Sequence, residues 1–169
     1  YRLSGYWYPF RQRVGGTRVD DFYPGTRLDD VVALYEFDAR LRAATFSVLA
    51  PVELAIRALL GHELGRLHPC AHLDPGLLGP TARQGDSYRH WQDGYEQELG
   101  RSREDFVAHH RVKYGGVLPV WAAVEVLDWG SLAHLYGFAP REVQESISAR
   151  CGLSGPQLTS WMKSLNVVR

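Results

Sequence analysis

The hydrophobic positions of residues 26–67 repeat with the period of a helix. Leu34, Leu41 and Val48 are seven residues apart, a spacing that places apolar side chains on one side of a helix. The other side carries charged residues. The apolar stripe resumes after Pro51, which suits the first turn of a second helix because its missing N–H costs nothing there. The pattern predicts one long helical arm, or two helices that meet at Pro51.

Helical patterns continue to the end of the chain. They cover residues 86–99, 102–114, 119–130, 131–136, 140–152 and 155–168. Glycine and proline separate them, and no alternating strand pattern follows residue 25. Helices joined by short Gly/Pro turns are typical of a bundle. We therefore predict an all-α domain over residues 26–169.

Residues 1–25 have a different character. The first ten read YRLSGYWYPF, and their aromatic side chains with Pro9 predict extended structure or a short strand. Gly15 and Gly16 form a turn signal, from which a hairpin would return through residues 19–22. We predict an extended aromatic N-terminal arm that packs on the bundle. The alternative is that its rings stack on nucleic-acid bases.

Length and composition are those of one folded domain. The chain has 169 residues, of which 45% are hydrophobic and 22% charged, and its formal net charge is zero. Any nucleic-acid contact must therefore come from a local basic patch rather than from a global field. No apolar run near the length of about 20 residues needed for a membrane helix is evident, and no signal peptide is visible. The two cysteines are unpatterned, so we expect a cytoplasmic protein without a membrane partner.

Both ends of the sequence look cut. It begins with Tyr1 rather than Met, and Arg169 falls inside a helical pattern. We expect a piece of a longer chain whose helical domain is incomplete at its C-terminus.

Arg57 and His62 form the first candidate pair for chemistry on RNA. A histidine moves protons near neutral pH, and an arginine stabilises charge on a phosphate. Their spacing places them about 140° apart on an ideal helix, so they meet only if the helix bends near Gly61. Otherwise His62 is a solvated residue, and Arg57 pairs with Glu53 one turn earlier.

A metal site is a further alternative. His62, His68, Cys70 and His72 supply soft ligands within a short segment, which is the donor chemistry that zinc prefers. Their spacing matches no standard zinc finger. We therefore expect no metal and no cofactor, and keep His68, Cys70 and His72 as the residues that a zinc site would use.

A small basic group lies on the helix before Gly115. It consists of His109, His110, Arg111 and Lys113. Such a group contacts phosphates in many nucleic-acid-binding proteins. The favourable interaction of cations with a helix C-terminus explains it equally well.

Five segments, taken in order, resemble the Abi-like proteins, the abortive-infection (AbiD/AbiF) family of bacteria. They are YRLSGYWYPF at 1–10, LYEFDARLR at 34–42, ELAIR at 53–57, KYGGVLPVWAAVEVLDWGSLAHLY at 113–136 and SWMKSLNVVR at 160–169. The family is placed in the HEPN superfamily. The resemblance implies an all-α HEPN-like bundle, a homodimer, metal-independent cleavage of RNA and a role in phage defence.

The resemblance also implies where catalysis occurs. The family's motif, an arginine followed after four residues by a histidine, comes after a Trp-containing last helix, which residues 161–169 resemble. Arg169 would be the motif arginine, and its histidine would lie five residues beyond Arg169. Glu53, Arg57 and His62 would then be supporting residues rather than the catalytic pair.

These observations leave three hypotheses. The first is an anti-phage endoribonuclease that is active at full length, whereas residues 1–169 alone are expected to be inactive. The second is a non-catalytic module of a phage-defence or toxin–antitoxin system that binds a protein or an RNA, such as a guide-like or antitoxin RNA. The third is a zinc-stabilised structural domain.

Overall fold

The fold is that of a computed structural model, which describes the backbone of residues 3–168 and the side chains of residues 3–166. Eight α-helices and one two-stranded sheet make up the described chain. The chain divides into two compact units, residues 1–50 and residues 51–169. The all-α prediction is confirmed.

The first unit contains a short helix, a hairpin and the start of a long helix. Helix α1 spans Ser4–Trp7 and is followed by a 3-10 turn at Tyr8–Phe10. Strands β1 (Arg11–Val14) and β2 (Thr17–Phe22) pair antiparallel. The hairpin prediction is therefore confirmed, since Gly15 and Gly16 take the positive φ values, 56° and 85°, that its tight turn needs.

The prediction of extended structure over the aromatic residues before the hairpin is wrong from Ser4 to Phe10, where helical turns form instead. The Tyr6 hydroxyl donates to Asp38 Oδ2 at 2.5 Å, and its ring meets the Tyr35 ring edge-on at 5.2 Å. Arg18 donates to the carbonyl of Tyr8, and its guanidinium lies over the Tyr8 ring. In this helical conformation, rings and carbonyl groups of the segment contact other residues of the first unit.

Helix α2 runs without interruption from Leu28 to Leu67, with Pro51 inside it. The prediction of one long arm is confirmed, and the alternative of two helices is wrong. Contrary to our expectation, α2 is long and apolar enough to cross a membrane by length and composition, because an 18-residue stretch of it has a mean hydropathy of 1.6. One such helix is weak support for a span, because core helices of soluble proteins pass the same test.

The apolar stripe in the first part of α2 is largely exposed. Phe37, Leu41 and Val48 keep 55%, 52% and 66% of their surface accessible. Within the described chain, this stripe therefore lacks the covering that its helical periodicity led us to expect.

The second unit holds the hydrophobic core. After α2 come α3 (Ser87–Arg101), α4 (Asp105–Lys113), α5 (Val120–Val126), α6 (Trp129–Phe138), α7 (Arg141–Arg150) and α8 (Gly155–Val168). Helix α6 contacts both α3 and α8, and α8 also contacts α7. Leu132, Leu135 and Tyr136 of α6 are fully buried, so α6 is the central helix of this unit.

Two glycines let α5 approach α2 closely. A Cβ atom on Gly61 would lie 3.0 Å from Trp121 Cα and 3.3 Å from Val124 Cγ2, and one on Gly65 would lie 3.1 Å from the Trp121 ring. These distances are shorter than ordinary carbon contacts. The glycines therefore determine how near the two helix axes come.

Replacing Gly61 by alanine should lower the free energy of unfolding by about 1–2 kcal/mol. The clash with the Trp121 backbone costs more than the helix propensity that alanine adds. The matched control is Gly94→Ala in α3, where a Cβ would meet nothing within 4 Å; this change should stabilise by about 0.5–1 kcal/mol. Urea denaturation measures both, and a stabilised Gly61→Ala variant would contradict the close approach.

Candidate functional site

Arg57 of α2 forms a largely buried ion pair with Glu53 of the same helix and a hydrogen bond to α5. Arg57 is only 9% exposed. Its Nε donates to Glu53 Oε1 at 3.1 Å, and its Nη1 donates to the carbonyl of Val124. The predicted pairing of Arg57 with Glu53 is confirmed, and the pair also satisfies a carbonyl near the end of α5.

The structure does not bring Arg57 and His62 together. Arg57 is buried, whereas His62 is exposed, and α2 continues through Gly61 without a break. A continuous helix keeps residues five apart on well-separated faces. The two residues therefore form no catalytic pair within this chain, and His62 is a solvated residue.

The zinc candidates are also dispersed. His68 Nδ1 accepts the N–H of Cys70 at 3.1 Å in a local turn, while His72 is fully buried. Over residues 3–166, no group of three His, Cys, Asp or Glu side chains is placed to hold a metal ion. The geometry gives the zinc alternative no support.

His72 lies instead in an aromatic cluster of the core. Its Nε2 is 3.4 Å from the Tyr95 hydroxyl, and its carbonyl accepts from the Tyr88 hydroxyl at 2.9 Å. The Nδ1 atom is buried and has no partner among the described residues. Burial lowers the pKa of His72 from 6.5 to about 4 and raises that of Tyr88 to about 12, because the charged forms lose hydration. The imidazole is thus a neutral core residue.

The depressed pKa of His72 predicts a loss of stability in mild acid. Between pH 6.5 and pH 4 the unfolded chain binds a proton that the folded chain does not, so the free energy of unfolding falls as the pH falls. The full effect is about 3 kcal/mol, reached below pH 4. Urea denaturation from about pH 7 to about pH 4 should show a flatter profile for His72→Gln, which carries no titrating group. Parallel profiles for the two proteins would contradict the assignment.

Two cavities adjoin the C-terminal part of α8. One, of about 200 Å³, lies between α6 and α8 and is lined by Gly130, Ala133, His134, Lys163 and Asn166. The other, of about 410 Å³, is lined by Arg57, Glu98, Val126, Leu127, Asp128, Trp129 and Asn166. Asn166, in the last turn of α8, lines both.

The local structure explains these positions. Asp128 begins α6 as its N-cap, and its Oδ1 accepts the Ser131 N–H at 2.6 Å. The Trp129 indole donates to the Met162 carbonyl at 2.8 Å, which joins the start of α6 to α8. This hydrogen bond places Lys163 and Asn166 of α8 beside the first turns of α6.

Neither His134, Lys163 nor Asn166 stood out in the sequence. Each is a single polar residue within a helical pattern, and only the packing of α6 against α8 makes them neighbours. A sequence signal exists for Lys163 alone, because Lys113 and Lys163 are the only lysines in the chain.

Most of the basic group before Gly115 lies around the exposed Tyr114 ring. The Tyr114 ring lies 5.2 Å from the His110 ring and 6.0 Å from the His109 ring, and the Lys113 ammonium lies 5.4 Å from it. Arg111 instead donates to the carbonyl of Leu99 near the end of α3. Three of the four predicted residues therefore surround Tyr114, and Arg111 has a structural contact.

Arg169, the residue to which we assigned the catalytic arginine, lies outside the described residues. The described part of α8 leads to it, and Asn166 precedes it by three positions.

Comparison with known proteins gives one match. The model of the family described as Abi-like protein matches residues 1–169. No curated protein and no solved structure matches the chain.

Proposed function

The chain belongs to the Abi-like protein family, whose membership suggests abortive-infection phage defence, and from this premise we propose that the full-length protein is an endoribonuclease of the HEPN type. The observation that carries the proposal is the position of α8: on the helix that leads to Arg169, Asn166 lines two cavities.

The proposed reaction needs no metal. The 2′-hydroxyl of RNA attacks the adjacent phosphorus, and its proton passes to a histidine acting as general base. The P–O5′ bond breaks, the 5′-oxygen takes up a proton, and the RNA is left with a 2′,3′-cyclic phosphate and a 5′-hydroxyl. Arg169 stabilises the negative charge of the pentacoordinate intermediate, and the histidine five residues beyond it moves the protons.

Glu53 and Arg57 have a supporting role in this proposal. Their ion pair fixes α2 against the α5 carbonyl, and Arg57 lines the larger cavity. Because Glu53 holds the guanidinium in place, we propose that Arg57 shapes the cavity wall and contributes positive charge there. It does not serve as the catalytic arginine.

We further propose a homodimer in the cytoplasm, where RNA substrates are found. The exposed apolar stripe of α2 supports this, since contiguous apolar surface of this kind marks protein–protein contacts. Light scattering of the full-length protein should give twice the chain mass, and a monomeric mass would refute the dimer.

The test of the nuclease is incubation of the full-length protein with total bacterial RNA in EDTA. The expected result is cleavage that EDTA does not affect, with 2′,3′-cyclic phosphate ends. Uncut RNA, or cleavage that stops on chelation, would overturn the proposal.

The binding module remains the second candidate, and the zero net charge favours it, because holding a protein, or an RNA through one local patch, needs no overall basic field. In that case the same assay would show RNA retained by the protein and intact after incubation. The proposed partner would then be a guide-like or antitoxin RNA.

A further inference from the structure

The smaller cavity, between α6 and α8, is lined by hydrogen-bond donors and by no carboxylate. His134 comes from α6, and Lys163 and Asn166 come from α8; Gly130 and Ala133 complete the lining. The larger cavity differs, because Glu98 and Asp128 line it beside Arg57. Of these two neighbouring spaces, the smaller one therefore suits an anion.

Lys163 is available to a ligand. Its side chain is exposed, and within residues 3–166 it forms no ion pair or hydrogen bond. In contrast, several exposed arginines of the second unit form ion pairs, such as Arg141 with Glu145 and Arg89 with Asp86. An unpaired ammonium with three donors suits phosphate oxygens, which it meets as a point charge.

Asn166 and His134 supply the other two donors. The absence of a side chain on Gly130 leaves room for the Asn166 amide, whose Nδ2 and Oδ1 each lie 3.4 Å from where a Cβ would be. The Asp128 carboxylate is also close to Gly130, but its Oδ1 accepts the Ser131 N–H as the cap of α6. The imidazole of His134 is exposed one turn further along α6.

We propose that this cavity is a phosphate subsite, in which Lys163, His134 and Asn166 bind one backbone phosphate of RNA adjacent to the phosphate that is cut. The inference rests on the proposed function for the identity of its ligand. Three donors from two helices match the exposed oxygens of a single phosphodiester. The subsite would position the RNA at the end of α8 without taking part in bond cleavage.

The first experiment uses inorganic phosphate with the full-length protein, followed by NMR of the imidazole and lysine side chains. We expect saturable shifts at His134, and an affinity at least fivefold lower in Lys163→Ala. Lys163→Arg should restore most of the affinity, since it keeps the charge. The matched control is Arg89→Ala, which removes an exposed positive charge paired with Asp86 on α3 and should stay within twofold of the original protein. Absence of saturable binding, or equal losses in both alanine variants, would overturn the subsite.

The second experiment separates the subsite from the nuclease. In RNA cleavage, Lys163→Ala should raise KM about fivefold and change kcat less than twofold, because a binding contact is lost rather than a transition-state contact. The slope of the logarithm of RNA affinity against the logarithm of salt concentration should also become shallower, by about the amount expected for one phosphate contact. Phosphate binding without any RNA cleavage would support the subsite and refute the nuclease. Cleavage with an unchanged KM in Lys163→Ala would support the nuclease and refute the subsite.

Discussion

Replacing Arg169 by alanine in the full-length protein should reduce the rate of RNA cleavage about 100- to 1,000-fold. The loss is that of one charged donor to the pentacoordinate phosphate, which in other enzymes has an effect of this size. The initial rate on a labelled RNA in EDTA measures it. Arg169→Lys should recover little of the rate, because an ammonium does not reproduce the two parallel donors of a guanidinium.

The control for this variant is Arg141→Ala. Arg141 is exposed on α7 and paired with Glu145 at 2.7 Å, so its removal also takes away one positive charge but leaves the two cavities at Asn166 intact. Its cleavage rate should stay within twofold of the original protein. A loss below tenfold for Arg169→Ala, or an equal loss for Arg141→Ala, would contradict the assignment of the catalytic arginine.

Replacing Arg57 by alanine should lower the free energy of unfolding by about 3–5 kcal/mol. Removing one partner of a buried ion pair leaves the other charge without its compensation. Here the change also takes a donor from the Val124 carbonyl, which is itself within the core contact of α2 and α5. The free energy can be measured by urea denaturation at neutral pH.

Arg40→Ala provides a matched comparison on the same helix. Arg40 and Glu36 also form an i,i+4 pair, with Nη1 and Oε2 3.8 Å apart, but both side chains are mostly exposed. Pairs of this kind contribute little because water and salt screen them. The unfolding of Arg40→Ala should therefore be indistinguishable from that of the original protein. If Arg57→Ala behaved in the same way, the buried pair would be neutral for stability.

Local features of the fold followed from local patterns. The Gly15–Gly16 pair predicted the hairpin because only glycine readily takes two successive positive φ values, and Gly115 and Gly116 end α4 with φ values of 69° and 85° for the same reason. Glu53 and Arg57 are one turn apart on a helix, so their pairing needed no knowledge of the rest of the chain.

Other features depended on competition between local preferences and packing. Aromatic residues before the hairpin favour strands in general, yet Tyr6 is helical, with its hydroxyl on Asp38 of α2. Pro51 is unfavourable inside a helix, yet α2 continues through it. In both cases contacts or cooperativity beyond the immediate neighbours outweighed a preference of about one to three kcal/mol.

The sequence by itself therefore determined the helical class, the hairpin turn, the Arg57–Glu53 pair and the family, because each depends on residues near one another in the chain or on their order. Only the tertiary structure decided that His72 is buried, that Arg57 and His62 lie apart, and that Lys163, Asn166 and His134 share a cavity. These facts depend on which helices become neighbours, and helical periodicity shows which side of a helix is apolar without showing what will face it.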